Sequence, residues 1–384
     1  MKRLRIAILT HSTHPRGGVV HALELGDALT ALGHHAVVHA PDPQGAGFFR
    51  DARCETRALP ARATGPDLAA RVRGFVDDYQ RHFEHGLNRQ FDIFHAQDSI
   101  SGNALAALKQ RGLIRGFART VHHIDDFAEP ELATLQRRAI TAADTHFTVS
   151  RFWQNQLNRE FGIDAHLVGN GVDPARFVCS PQPADIALRE RLGLADGPVF
   201  LTVGGIEQRK NTLRILRAFE TIHATHASAQ LLIAGGASLL DHSLYQSEFF
   251  AALTASGLPA QSVIITGALS QAEIPSLYRI ADALVFPSVK EGFGLAVLEA
   301  MASRLPVITS RIAPFTEYLS EDDALWCDPL EIPSIAAAME RVLLPACRPA
   351  LIENGLRIAG RHDWRRVAQA HLEIYSETKD LIDA

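Results

Sequence analysis

Short aliphatic runs alternate with longer amphipathic stretches along this chain, and the alternation starts over once. "LRIAILT" (4–10) is rich in β-branched and aliphatic residues, as a buried strand requires, and leads through a Gly17-Gly18 turn into a helical pattern. There Ala22, Leu25, Leu29 and Leu32 recur at helical spacing, and Gly33 follows as a stop. "HAVVHAP" (35–41) completes a βαβ unit, and "FDIFHA" (91–96), "FARTVH" (117–122) and "THFTVS" (145–150) extend it between helical stretches. Continuous apolar strands of this kind predict a parallel sheet with both faces covered by helices.

The pattern restarts at "PVFLTVGG" (198–205), followed by an amphipathic helix carrying Leu213, Leu216, Phe219 and Ile222. Further strands are expected at 230–236, 263–267, 283–288, 306–310 and 324–329, and "SQAE" (270–273) has the form of a capping box that starts a helix. Proline density rises and periodicity fades over 172–185, where the linker is expected. The expectation is therefore α/β, with two doubly wound Rossmann-like domains facing a cleft: residues 1–175 and 176–363, with a long tryptophan-led helix over 364–384.

Composition narrows the classes. With 384 residues, 47% apolar and 21% charged, the chain suits an ordered two-domain enzyme. A formal net charge of -5 argues against nucleic acid as a partner. Only a short apolar run precedes Thr10, too short for an export signal, and Cys54, Cys179, Cys327 and Cys347 lack metal or redox spacing, so a cytoplasmic location is expected. The amphipathic stretch 67–87 is a candidate for peripheral membrane contact, although a solvated helix is the commoner explanation of such a pattern. Oligomeric state is not readable.

Function depends on the strand ends, because open parallel sheets bind ligands there. "GGIEQRKN" follows one strand of the second half and "PSVKEGFG" another, so two of the chain's five lysines, Lys210 and Lys290, fall in these loops beside Arg209 and Glu291. Positive charge, close-approaching glycines and a helix start behind Gly294 describe a diphosphate site. Glu291 and Glu299 lie eight positions apart across this turn. A glycosidase pair needs its carboxyls about 5 to 9.5 Å apart on either side of one bond. One glutamate in a loop and the other more than a turn into a helix suit opposite ends of an extended ligand better.

"SVKEGFGLAVLEAMASRLPVITS" (288–310) closely resembles the E-x7-E signature of the retaining nucleotide-sugar glycosyltransferases of family 4, which have the GT-B fold. "FDIFHAQD" (91–98), "TVHHIDDF" (120–127), "VGNGVD" (168–173) and "VGGIEQRKN" (203–211) occur in that family's order, so the resemblance spans nearly the whole chain. It implies that Lys210 and Arg209 hold the donor diphosphate, that Glu291 contacts the sugar's 3- and 4-hydroxyls, and that Glu299 binds the ribose. Gly292, Phe293, Gly294 and Leu295 would complete the donor site, Gly17 and Gly18 would lie near the distal phosphate and acceptor, and His122, preferred to His123, beside the transferred sugar. The terminal helix would pack back on the first domain. Gly205 stands where many members carry arginine, and Gln97 where many carry the second histidine of H-x-H-D; His95 and Asp98 are left outside the catalytic set.

No D-x-D occurs in the chain, so the expected chemistry is metal-independent and cofactor-free. A hexosyl group would move from a nucleotide-diphosphate sugar to a hydroxyl acceptor, whether saccharide, small molecule or lipid. The alternatives are a nucleotide-sugar epimerase or hydrolase of the same fold and, in a different class, a two-lobed small-molecule-binding protein. A dinucleotide enzyme is disfavoured because "THSTHPRGGVV" lacks G-x-G-x-x-G.

Overall fold

The computed structural model describes residues 3–383 apart from 63, 64, 66 and 236–241. The chain divides into two compact units, Met1–Asn170 with Trp364–Ala384, and Gly171–Asp363. Val172 bridges to Asp363 and its N–H donates to the His362 carbonyl at 2.9 Å, which places residues 171–175 in the second unit.

In the first unit the strands are β1 (Arg5–Leu9), β2 (His35–Asp42), β3 (Glu55–Pro60), β4 (Ile93–Ala96), β5 (Ala118–Val121), β6 (Thr145–Thr148) and β7 (His166–Leu167). They form one parallel sheet in the order β3-β2-β1-β4-β5-β6-β7. Ile6 to Leu9 are wholly buried, as expected of a strand covered on both faces. Sequence order reverses between β1 and β4, so their carboxyl ends flank the crevice in which open sheets carry ligands. Two strands escaped the sequence pattern. β3 reads ETRALP and is largely exposed at the sheet edge, and β7 is only two residues long. Gly17 and Gly18 do not form a turn before the first helix; they are its first two residues, Gly17–Ala31.

The second unit holds β8 (Val199–Val203), β9 (Gln230–Ala234), β10 (Val263–Gly267), β11 (Ala283–Phe286), β12 (Val307–Ser310) and β13 (Leu325–Cys327), parallel and in the order β10-β9-β8-β11-β12-β13. The end of the expected strand 230–236 lies outside the described residues. Phe200, Leu231, Val285, Phe219 and Met339 are buried in one core between sheet and helices. Only half of the expected capping box forms at 270–273: the Glu273 carboxylate accepts from the Ser270 N–H and hydroxyl, and the helix proper is Ile274–Ile280. Here the order reverses between β8 and β11, the two strands that deliver the basic loop and the E-x7-E block.

The helix Trp364–Asp383 belongs to the first unit and packs along Gly17–Ala31. Trp364 meets the His21 ring edge-on at 5.3 Å, and the Tyr375 hydroxyl lies 2.5 Å from His95 Nδ1. Among the described residues, no helix is long and apolar enough to cross a membrane.

Candidate functional site

In the second unit, two loops at the carboxyl ends of β8 and β11 are tied to each other through main-chain groups. The Val289 N–H donates to the Arg209 carbonyl at 2.9 Å, and Asn211 Nδ2 donates to the Pro287 and Pro329 carbonyls at 3.1 and 2.5 Å. Asn211 adopts a left-handed backbone, φ 63°, which its short polar side chain tolerates. This clamp brings the basic residues of one loop to the glutamate of the other. Lys210 Nζ lies 2.6 Å from Glu291 Oε1, and Arg209 Nη1 donates to the same oxygen at 3.2 Å. Arg209 Nε reaches Glu207, a buried carboxylate, at 3.1 Å.

Lys210 is held from every side. Its ammonium sits 4.1 Å from the centroid of the Phe286 ring, a cation–π distance, and a Cβ on Gly204 (φ 124°) would come within 2.7 Å of its Cε. Burial, with Arg209 beside it, pulls the Lys210 ammonium down to about 8 against the opposing pull of Glu291. Burial alone would push Glu291 up, but Lys210 and then Arg209 hold its carboxyl below the usual range. The pair is therefore ionised at neutral pH, with a lysine that loses its proton within reach of ordinary alkaline buffers.

Gly292, Phe293 and Gly294 lead into the helix Leu295–Ala302, whose amino end presents the positive end of the helix dipole behind the turn. Gly294 (φ 93°) must be glycine, since a Cβ would stand 2.4 Å from Phe315 Cε1. The Phe293 ring stacks on Tyr318 at 4.8 Å, and the Tyr318 hydroxyl donates to the Phe293 carbonyl at 3.2 Å. The turn is thus braced from behind. Glu299, one helical turn further on, pairs with a different group: the Tyr278 hydroxyl donates to its Oε2 at 2.6 Å. Burial raises the Glu299 carboxyl above the usual range. Glu291 and Glu299 thus have separate partners, a lysine and an arginine for the first and a tyrosine hydroxyl for the second.

Gly17, Gly18 and His122 lie in the first unit. A Cβ on Gly18 would be 3.6 Å from His122 Cδ2, and the His122 ring meets His21 edge-on at 4.8 Å. Burial first, then His21 and Arg119, push His122 well below the ordinary histidine range, so the ring is neutral. His123 is exposed and pairs with Asp125 at 3.3 Å. His95 is buried between Thr120 Oγ1 (2.7 Å) and the Tyr375 hydroxyl, and Asp98 caps the helix Ser99–Gln110 by accepting from the Ser101 N–H at 2.9 Å. Tyr278, Glu207 and Gln97 touch these groups without having been singled out from sequence for doing so. No local pattern could have found Tyr278, whose partner is 21 positions away.

Residues 185–355 match the family model described as Glycosyl transferases group 1, and residues 15–176 match Glycosyltransferase Family 4. Among curated relatives, the chain is 26% identical to D-inositol 3-phosphate glycosyltransferase of Xylanimonas cellulosilytica, covering 97% of this chain and 96% of the relative. It is also 26% identical to the GDP-mannose-dependent alpha-(1-6)-phosphatidylinositol monomannoside mannosyltransferase of Mycolicibacterium smegmatis, covering 98% and 100%. Among solved structures, sucrose-phosphate synthase from Thermosynechococcus elongatus superposes with a TM-score of 0.80 at 22% identity, over 98% of this chain and 99% of the other. HepE of Anabaena, solved in complex with UDP and glucose, gives 0.77 at 20% identity over 97% and 100%.

Proposed function

Because the chain is a glycosyltransferase of GT-B fold, built from a group 1 and a family 4 module, we propose that it transfers a hexosyl group from a nucleotide-diphosphate sugar to a hydroxyl acceptor with retention of configuration. The observation that carries this reading is the Lys210–Glu291–Arg209 cluster at the β8/β11 switch point, beside the glycine turn and helix start at Leu295. The names of relatives support a nucleotide-sugar donor in general: one is GDP-mannose-dependent, and HepE was solved with UDP and glucose.

Lys210 and Arg209 would neutralise the departing diphosphate, assisted by the amides of Gly292, Phe293 and Gly294 and by the dipole of the helix behind them. Such groups act without a bridging metal because they are fixed before the reaction begins. Glu291 would exchange part of its ion pair for hydroxyls of the sugar, while Glu299 accepts from the ribose diol. A neutral His122 does not protonate anything at pH 7; it would orient the sugar. The anomeric C–O bond to phosphate would break as the acceptor oxygen approaches from the same face, and the leaving phosphate oxygen would take the acceptor's proton.

Proton NMR of the first sugar product, transferred to an acceptor or to water, tests the stereochemistry. An anomer matching the donor is expected, and the inverted anomer would contradict the front-side reading. Nucleotide release with no glycosylated product, across saccharide, small-molecule and lipid acceptors, would favour a hydrolase instead.

Tyr278→Phe should weaken donor binding by about tenfold, because Glu299 loses the hydroxyl that orients its carboxylate and favours the ionised form, with kcat little changed. Since Tyr278 holds the Glu299 carboxyl down against burial, its loss lets the carboxyl rise further, and the defect should deepen as pH falls. Calorimetric titration with donor at two pH values measures this; unchanged affinity would remove Glu299 from the ribose.

A further inference from the structure

Gln97 stands at the carboxyl end of β4, at the β1/β4 reversal, and its backbone is fixed on both sides. Its N–H donates to the Leu9 carbonyl at 2.9 Å, and the next residue, Asp98, caps the helix Ser99–Gln110. The residue is 2% exposed. Its Oε1 lies 2.9 Å from His122 Nε2, while its Nε2 faces His95 Nε2 at 3.4 Å. His95 in turn is held by Thr120 Oγ1 at 2.7 Å and by the Tyr375 hydroxyl at 2.5 Å, so a line of buried polar contacts runs from the terminal helix to His122.

A neutral imidazole carries one N–H, and the partner of one ring nitrogen decides the state of the other. An amide carbonyl can only accept, so a carbonyl on Nε2 demands the proton there and leaves the lone pair on Nδ1. The groups facing His122 are His21 from the helix Gly17–Ala31, His95 from β4, Arg119 from β5 and the neighbouring His123. All are basic, and none would favour a second proton on the ring. Gln97 adds no charge to this set, whereas a carboxylate there would stabilise imidazolium and a histidine could itself change tautomer.

We propose that Gln97 is a positioning residue for His122, holding its ring in the neutral Nε2–H tautomer so that Nδ1 is the nitrogen offered to a hydroxyl of the donor sugar. The sugar contact rests on the function proposed above; the tautomer does not.

Nitrogen-15 NMR of histidine-labelled protein tests it directly, with the His122 signals assigned by their loss in His122→Asn. The wild type should show His122 protonated at Nε2, and Gln97→Leu should move the ring toward the other tautomer. Gln97→Leu should also lower kcat about tenfold with donor KM within about twofold, and should cause no further loss when combined with His122→Asn. Gln97→Glu, nearly isosteric, should retain the Nε2–H tautomer and raise the pH at which His122 gains its second proton, moving the acid limb of kcat toward neutrality. A wild-type Nδ1–H tautomer, an unmoved acid limb in Gln97→Glu, or losses that multiply in the double variant would each overturn the role of Gln97. Full transfer activity in His122→Asn would instead overturn the sugar contact and the reading beneath it, whatever the tautomer proves to be.

Discussion

Glu291→Gln is expected to lower kcat by about a hundredfold to a thousandfold while donor affinity changes far less, because the glutamate's charge matters most when the sugar becomes cationic. Carboxylate and amide are nearly the same size, so the turn before Leu295 should keep its shape. The substitution also reaches Lys210. Glu291 raises the lysine's affinity for its proton against burial and Arg209, and without that charge the ammonium should fall below about 8. The defect should therefore be larger at pH 8 than at pH 6.5, a signature that simple loss of a sugar contact does not produce. Steady-state rates at the two pH values with saturating donor measure both effects. A loss under about threefold, equal at both pH values, would remove Glu291 from the chemistry.

Lys210→Ala should reduce kcat/KM by about a thousandfold or more, because it removes the buried cation proposed for the leaving diphosphate and strands Glu291 without its nearest partner. The wild type carries a related pH dependence. A lysine pulled down to about 8 in the folded chain is charged below that pH and neutral above it, so kcat/KM should fall with an alkaline limb near pH 8. The sign for stability is opposite. Between about 8 and the unfolded value of 10.5 the unfolded chain binds more protons, so folding becomes more favourable as pH rises through that window. Activity and stability should thus diverge above pH 8. Lys210→Arg, which keeps its charge, should move the alkaline limb out of range even if its rate at pH 7 is lower. A limb that stays near 8 in that variant belongs to another group.

Much of this architecture is legible in the sequence because its signals are local. β1 and β8 are short aliphatic runs, and the helices after them repeat apolar residues at helical spacing, so the two halves can be recognised without knowing how strands are ordered. β3 was not legible, because an exposed edge strand carrying Glu55 and Arg57 lacks the apolar continuity that marks the buried strands. The candidate site divides in the same way. Lys210 and Glu291 stand in loops whose composition announces an anion site, and their contact at 2.6 Å follows once β8 and β11 are neighbours. The supporting contacts are different in kind. Tyr278 reaches Glu299 and Gln97 reaches His122 across 21 and 25 positions, through side-chain directions that only packing determines. Gly17 and Gly18 read as a turn because glycine pairs usually make one; here they open a helix, with Gly18 close against the His122 ring.

Everything proposed for the β8/β11 switch point requires that it bind a nucleotide-diphosphate sugar through Lys210. A thermal-shift panel of UDP, GDP, ADP and dTDP with their sugars, run on the wild type and on Lys210→Ala, tests it most directly, since a ligand raises the melting temperature only by binding the folded protein more tightly than the unfolded chain. One nucleotide class should stabilise the wild type, and that shift should largely vanish in Lys210→Ala. No shift with any member, or the same shift in both proteins, would rule out donor binding through Lys210.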